Sequence, residues 1–85
     1  GKTLLVTGCA RGMGAAAAIR AAREGANIVG VDWLRTEGEA TIEQIRSEGG
    51  QAEFLFGDIA EPQVCERMVQ LAVERFGSLD LALNN

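Results

Sequence analysis

Short aliphatic runs alternate along this chain with longer segments in which apolar residues recur at helical spacing. Thr3-Leu4-Leu5-Val6 comes first, and its β-branched and aliphatic side chains read as a buried strand. The alanine-rich segment after it predicts a helix from about Met13 to Glu24, with Ile19 as its larger anchor and Gly25 as a left-handed cap. Asn27 to Asp32 reads as a second strand. Thr36 and Glu39 have the spacing of a capping box, which predicts a helix opening at Thr36 and ending near Glu48, before Gly49-Gly50. Ala40, Ile42 and Ile45 give that helix a thin apolar stripe, and Gly38 weakens its first turn. Ala52 to Phe56 predicts a third strand. A third helix begins around Glu61-Pro62, because proline is tolerated in a first turn. Val64, Met68, Val69, Ala72 and Phe76 form its buried face, Gly77 caps it, and Leu79 to Leu83 is a fourth strand.

Strict alternation with short connections predicts an α/β fold with a parallel sheet and right-handed crossovers. The expected strand order is 3-2-1-4, half of a doubly wound sheet, with Leu4, Val6, Ile28, Val29 and Leu81 among the buried positions. A hydrophobic content of 47% in only 85 residues fits strands covered on both faces. A net charge of −4, with no polybasic run and no interleaving of aromatic and basic residues, argues against a nucleic-acid partner. No apolar stretch reaches the length of a membrane span, and no leader-like segment precedes the first strand. Cys9 and Cys65 stand apart, without metal-ligand spacing and without any histidine. Two free thiols and a cytoplasmic location are expected, and no metal.

The chemistry concentrates in Thr7-Gly8-Cys9-Ala10-Arg11-Gly12-Met13-Gly14, between the first strand and the first helix. Glycines there allow a tight turn, a ligand pressed against backbone, and close packing of helix on strand. The helix start adds unpaired N–H groups and a partial positive charge, which suit a pyrophosphate. No Lys-Ser or Lys-Thr follows the glycines, which argues against a nucleoside-triphosphate loop, and Gly1-Lys2-Thr3 lies on the wrong side of the strand. Asp32 ends the second strand, where a dinucleotide fold places the carboxylate that accepts from ribose hydroxyls.

The spacing Thr-Gly-x-x-x-Gly-x-Gly resembles that of the short-chain dehydrogenase/reductase family, and the likeness extends along nearly the whole chain. Gly57-Asp58-Ile59 is similar to the family's Asp-Val or Asp-Leu pair after the third strand. Phe76-Gly77-Ser78-Leu79-Asp80 resembles its Phe-Gly-x-x-Asp junction, and Leu83-Asn84-Asn85 the opening of its Asn-Asn-Ala-Gly. The resemblance implies a Rossmann-type, three-layer αβα domain, here incomplete. It implies cofactor contacts at Gly8, Arg11, Gly12, Met13 and Gly14, at Asp32 and Trp33, and at Asp58, Ile59 and Asn85. It also implies NAD rather than NADP, since Asp32 repels a 2′-phosphate and Trp33 stands where an NADP enzyme would carry arginine. Arg11 is the one residue favouring NADP. Trp33 lies against the adenine or covers the sheet end.

Ala60 departs from the family's Ser or Thr helix cap, and Cys9 occupies a position for a small space-filler. The family's Ser and Tyr-x-x-x-Lys set has no counterpart: the chain lacks tyrosine, and Ser47 and Ser78 lie at helix ends. The expectation is the cofactor-binding half of an alcohol or carbonyl oxidoreductase, with its catalytic half beyond Asn85, a small-molecule substrate and a homo-oligomeric whole. A non-catalytic dinucleotide sensor is the alternative. A methyltransferase would also place an acid after its second strand, but the glycine spacing and the Asn84-Asn85 end oppose it.

Overall fold

Each of the first three strands leads into a crossover long enough for one helix and too long for a hairpin, so neighbouring strands run parallel. The computed structural model describes residues 1–85. The elements are β1 (Thr3–Thr7), α1 (Gly12–Arg23), β2 (Asn27–Asp32), α2 (Arg35–Ser47), β3 (Ala52–Phe56), α3 (Pro62–Phe76) and β4 (Leu81–Leu83). The sheet order is β3-β2-β1-β4, as expected, and every pair is parallel. Leu5 stands beside Val29 and Ala82, and Val29 beside Glu53. No helix is long and apolar enough to cross a membrane.

Alternation along the strands sorts the apolar side chains onto two faces. Leu5, Val29, Val31 and Leu55 meet Val64, Met68 and Ala72 of α3. Val6, Ile28 and Ala52 point the other way, to Ala18 of α1 and to Ile42 and Ile45 of α2. The result is a layer of helix on each side of the sheet and two cores. Burial of each Val, Leu or Ile contributes about 1.5–3 kcal/mol.

Several local expectations fail. The capping box is not used: α2 already begins at Arg35, and the residue before it, Leu34, makes no side-chain cap bond. The buried stripe of α2 is Gly38, Thr41, Ile42 and Ile45, while Ala40 is exposed. Gly38 belongs to it because the Phe54 ring lies on the helix there; a Cβ at position 38 would come within 2.2 Å of that ring. In α3 the cap position is Glu61 rather than Ala60, and Asp58 Oδ1 accepts the Ala60 N–H at 2.9 Å. Val69 is 46% exposed, since α3 turns to the sheet the face that carries Val64, Met68 and Ala72, with Leu71 and Phe76 packed at its margin. Leu81 is 62% exposed and Leu4 only half-buried. The fourth strand is also shorter than expected, and Leu79, just ahead of it, packs against the α3 core.

The two margins of the sheet differ. At β3, Arg46 Nε donates to the Ala52 carbonyl at 3.0 Å. The Glu53 carboxylate receives Arg46 from α2 at 3.3 Å and Arg75 from α3 at 2.7 Å. Exposed pairs of this kind are worth under ~1 kcal/mol each, but charge along an edge discourages pairing with another chain. At β4 no such guard exists, and Leu81 and Leu83 lie open beside a row of unpaired backbone groups. Residues 1–85 expressed alone should therefore self-associate through β4, seen as oligomers in sedimentation velocity, and Leu81→Lys should shift them towards monomer. A wild-type monomer at high concentration would refute this.

Candidate functional site

The turn after β1 is laid across the end of β2. Gly8 takes φ 70°, and its N–H donates to the Val31 carbonyl at 2.9 Å. The chain then passes Cys9 and Ala10, both buried, and enters α1 after Arg11. Gly14 sits so close to this turn that a Cβ would lie 1.9 Å from the Gly8 carbonyl oxygen. The first backbone bond of α1 runs from the Ala15 N–H to the Arg11 carbonyl at 3.4 Å. The N–H groups of Arg11, Gly12, Met13 and Gly14 have no acceptor. A row of free donors thus stands at the positive end of a helix dipole.

Beside it, at the C-terminal ends of β1, β2 and β3, lies a cavity of about 450 Å³. Gly8 and Arg11 line it from the turn, and Asp32 and Trp33 from the end of β2. Asp58 and Ile59 line it from beyond β3, and Asn85 from beyond β4. Of the residues singled out in the sequence, Gly12, Met13 and Gly14 do not line it: Met13 is 80% exposed, and the two glycines shape the turn. Thr7, Val31, Leu34 and Gly57 line it as well. Each is the chain neighbour of a residue already named, so extending every motif by one position would have found them.

Asp32 is buried at the floor. Its Oδ2 accepts the Ala10 N–H and its Oδ1 the Leu34 N–H, each at 2.9 Å. A carboxylate has about four acceptor sites, so both oxygens keep capacity for a ligand hydroxyl. The Asn85 N–H donates to Thr7 Oγ at 3.2 Å, and its Nδ2 reaches the Gly8 carbonyl at 3.4 Å. These bonds fasten the exit of β4 to the end of β1. Trp33, the only tryptophan, is exposed at the rim.

Cys9 is fully buried, and burial, with the nearby Asp32 carboxylate, pushes its thiol from the ordinary 9.0 up to about 12. It is a neutral packing residue at physiological pH. Cys65 is exposed, and neither cysteine is paired. No cluster of metal-ligating side chains is present. The Ser47 hydroxyl donates to the Gln44 carbonyl and the Ser78 hydroxyl to Asp80, and neither residue lines the cavity. The site combines acceptor-free N–H groups at the start of α1, beside the cavity, with a fixed carboxylate on the cavity floor, and has no acid–base pair.

A parallel sheet in this order, a glycine turn leading to a helix start stripped of acceptors, and an acid closing the second strand define a dinucleotide-binding α/β fold. Residues 2–85 match the short chain dehydrogenase family, and the chain belongs to it. It is 42% identical to an uncharacterized oxidoreductase of Thermotoga maritima, over 100% of this chain and 33% of that protein. It is 41% identical to an L-rhamnose 1-dehydrogenase (NAD(P)(+)) of a Sphingomonas species, over 100% of this chain and 34% of that one. The crystal structure of a hydroxysteroid dehydrogenase from Escherichia coli superposes with a TM-score of 0.94 at 30% identity, over 100% of this chain and 36% of the other. The fold is thus the Rossmann-type arrangement of those enzymes, and the chain spans about a third of the length of these relatives.

Proposed function

We propose that this chain holds the adenosine diphosphate part of NAD within an oxidoreductase that interconverts an alcohol and a carbonyl. The observation that carries the reading is the row of acceptor-free N–H groups from Arg11 to Gly14 beside a cavity floored by Asp32. These residues fit such a group: the turn has no room for a Cβ at Gly14, and the donor row suits an anion. The N–H groups of Gly12, Met13 and Gly14 bind the pyrophosphate. Asp32 accepts from the ribose hydroxyls, Asp58 and Ile59 bound the adenine, and Trp33 covers it at the rim. Asn85 fixes the far side of the turn. The nicotinamide of the bound cofactor supplies the hydride chemistry.

NAD is preferred over NADP because the Asp32 carboxylate, in a desolvated position, repels a 2′-phosphate. Arg11 lines the same cavity and offsets part of that repulsion. The acid–base groups come from chain outside residues 1–85. The substrate is a small alcohol or carbonyl compound, and the complete protein forms a homo-oligomer.

Trp33 is a built-in reporter. In the complete polypeptide, NAD should quench its fluorescence with a Kd of tens of micromolar or tighter, about −6 kcal/mol. NADP should bind more weakly, and S-adenosylmethionine not at all. Absence of any response to NAD and NADP at millimolar concentration would refute the proposal. Binding without alcohol or carbonyl turnover would select a non-catalytic dinucleotide sensor.

A further inference from the structure

We infer that Thr41, on the buried face of α2, is a positioning residue for this cavity: its hydroxyl fixes the Ala10–Arg11 peptide, and through it the Asp32 carboxylate and the free Arg11 N–H. The inference rests on the dinucleotide reading given above. Thr41 does not line the cavity and acts only through Ala10.

The Thr41 Oγ lies 3.3 Å from the Ala10 carbonyl oxygen and 3.2 Å from that of Glu37. A hydroxyl has one proton to give. The Glu37 carbonyl stands one helical turn back, where the backbone N–H of α2 already falls due. The Ala10 carbonyl has no other partner, and Ala10 is buried. Leaving a buried acceptor unmet is the costlier choice, so the proton goes to Ala10.

Two consequences follow from peptide geometry. The chain has no cis bonds, and in a planar trans peptide the C=O and N–H point to opposite sides. Drawing the Ala10 carbonyl towards α2 therefore turns the Arg11 N–H away from α2, and that N–H is the first of the acceptor-free row. The Ala10 N–H meanwhile donates to Asp32 Oδ2 at 2.9 Å. One short residue is thus held at both ends, by α2 on its carbonyl and by the ribose-facing acid on its N–H. Loss of the Thr41 hydroxyl frees this residue to rotate, and both the donor row and the acid lose their fixed placement.

Threonine in a helix commonly bonds the carbonyl one turn back with only a local effect. Binding experiments on the complete polypeptide separate the two roles, with Trp33 fluorescence as the readout and thermal melts alongside. Thr41→Val keeps the side-chain shape and removes the donor. It should weaken both NAD and ADP-ribose by about tenfold, some 1.4 kcal/mol, and narrow the NAD-to-NADP preference. Thr41→Ser should restore the wild-type affinities and preference. A Thr41→Val protein that melts lower but binds both ligands as wild type does would overturn the inference, leaving the hydroxyl a purely structural role. Should Thr41→Val not fold, Thr41→Cys, a weaker donor, takes its place: weaker NAD binding rescued by serine supports the inference, and unchanged binding overturns it. If the wild type does not bind NAD, the proposed function fails and takes this inference with it. Wild-type binding with an unaffected Thr41→Val removes this inference alone.

Discussion

Gly14→Ala is expected to be the most damaging single substitution in the turn. Its Cβ would sit 1.9 Å from the Gly8 carbonyl oxygen and 2.8 Å from Asn85 Nδ2. The carbonyl is backbone, held where the Gly8 N–H bonds to Val31, so it has no rotamer into which to retreat. Relief requires lifting the start of α1 off the strand end, which also displaces the donor row. Forced overpacking costs about 1–3 kcal/mol and sometimes more, against a total stability of about 5–15 kcal/mol for a typical domain. Gly12→Ala is the control: it has open space around it but a φ of 63°, so its cost is the left-handed backbone penalty of about 1–2 kcal/mol. Urea unfolding of the complete polypeptide should rank Gly14→Ala below Gly12→Ala, with NAD binding lost only in the former. If Gly14→Ala unfolds within about 1 kcal/mol of wild type, the close approach does not constrain the turn.

Asp32→Ala should have two separable effects. The first is structural, because the carboxylate accepts from both the Ala10 and Leu34 N–H groups. Orphaning the buried Ala10 N–H costs about 1–3 kcal/mol. The second concerns cofactor choice. Combined with Trp33→Arg, the substitution removes the repulsion of a 2′-phosphate and supplies a cation for it. Calorimetric titration of the complete polypeptide should then show NADP bound more tightly than NAD. A ratio of the two dissociation constants that stays within about twofold of wild type, under ~0.5 kcal/mol, would mean that the carboxylate does not face the ribose.

What was legible in the sequence was what periodicity and glycine spacing encode. The strands, the helix faces built on Ile42, Ile45, Val64, Met68 and Ala72, and the sheet order all emerge from local pattern. Seven of the eleven cavity-lining residues could be named, because each lies at a strand end or in the loop beyond one, and their neighbours Thr7, Val31, Leu34 and Gly57 were missed. Errors arose where a contact that the pattern does not show decides the outcome. Thr36 and Glu39 have a capping box's spacing, but the Leu34 N–H is already taken by Asp32, and the helix starts sooner. Thr41 looks like a polar position on a helix until the Ala10 carbonyl appears opposite it. Gly38 looks like a defect until Phe54 fills the space above it. Leu81 is as apolar as any core residue, and burial depends on cover that no local pattern announces.

The unequal margins of the sheet give the architecture a direction. On the β3 side, Arg46 occupies a strand carbonyl and Glu53 is clasped from both helix layers, so a further strand would have to break ionic bonds before it could dock. On the β4 side, nothing stands in the way. The cavity lies at the strand ends between these margins, its floor on β2, one strand in from the closed side. Growth of the sheet past β4 therefore adds material on the far side of the glycine turn and leaves the Asp32 end untouched. For protein engineers this makes the molecule a one-way building block: new strands can be grafted at the open margin while the Asp32 floor of the cavity, set near the closed one, travels with the block.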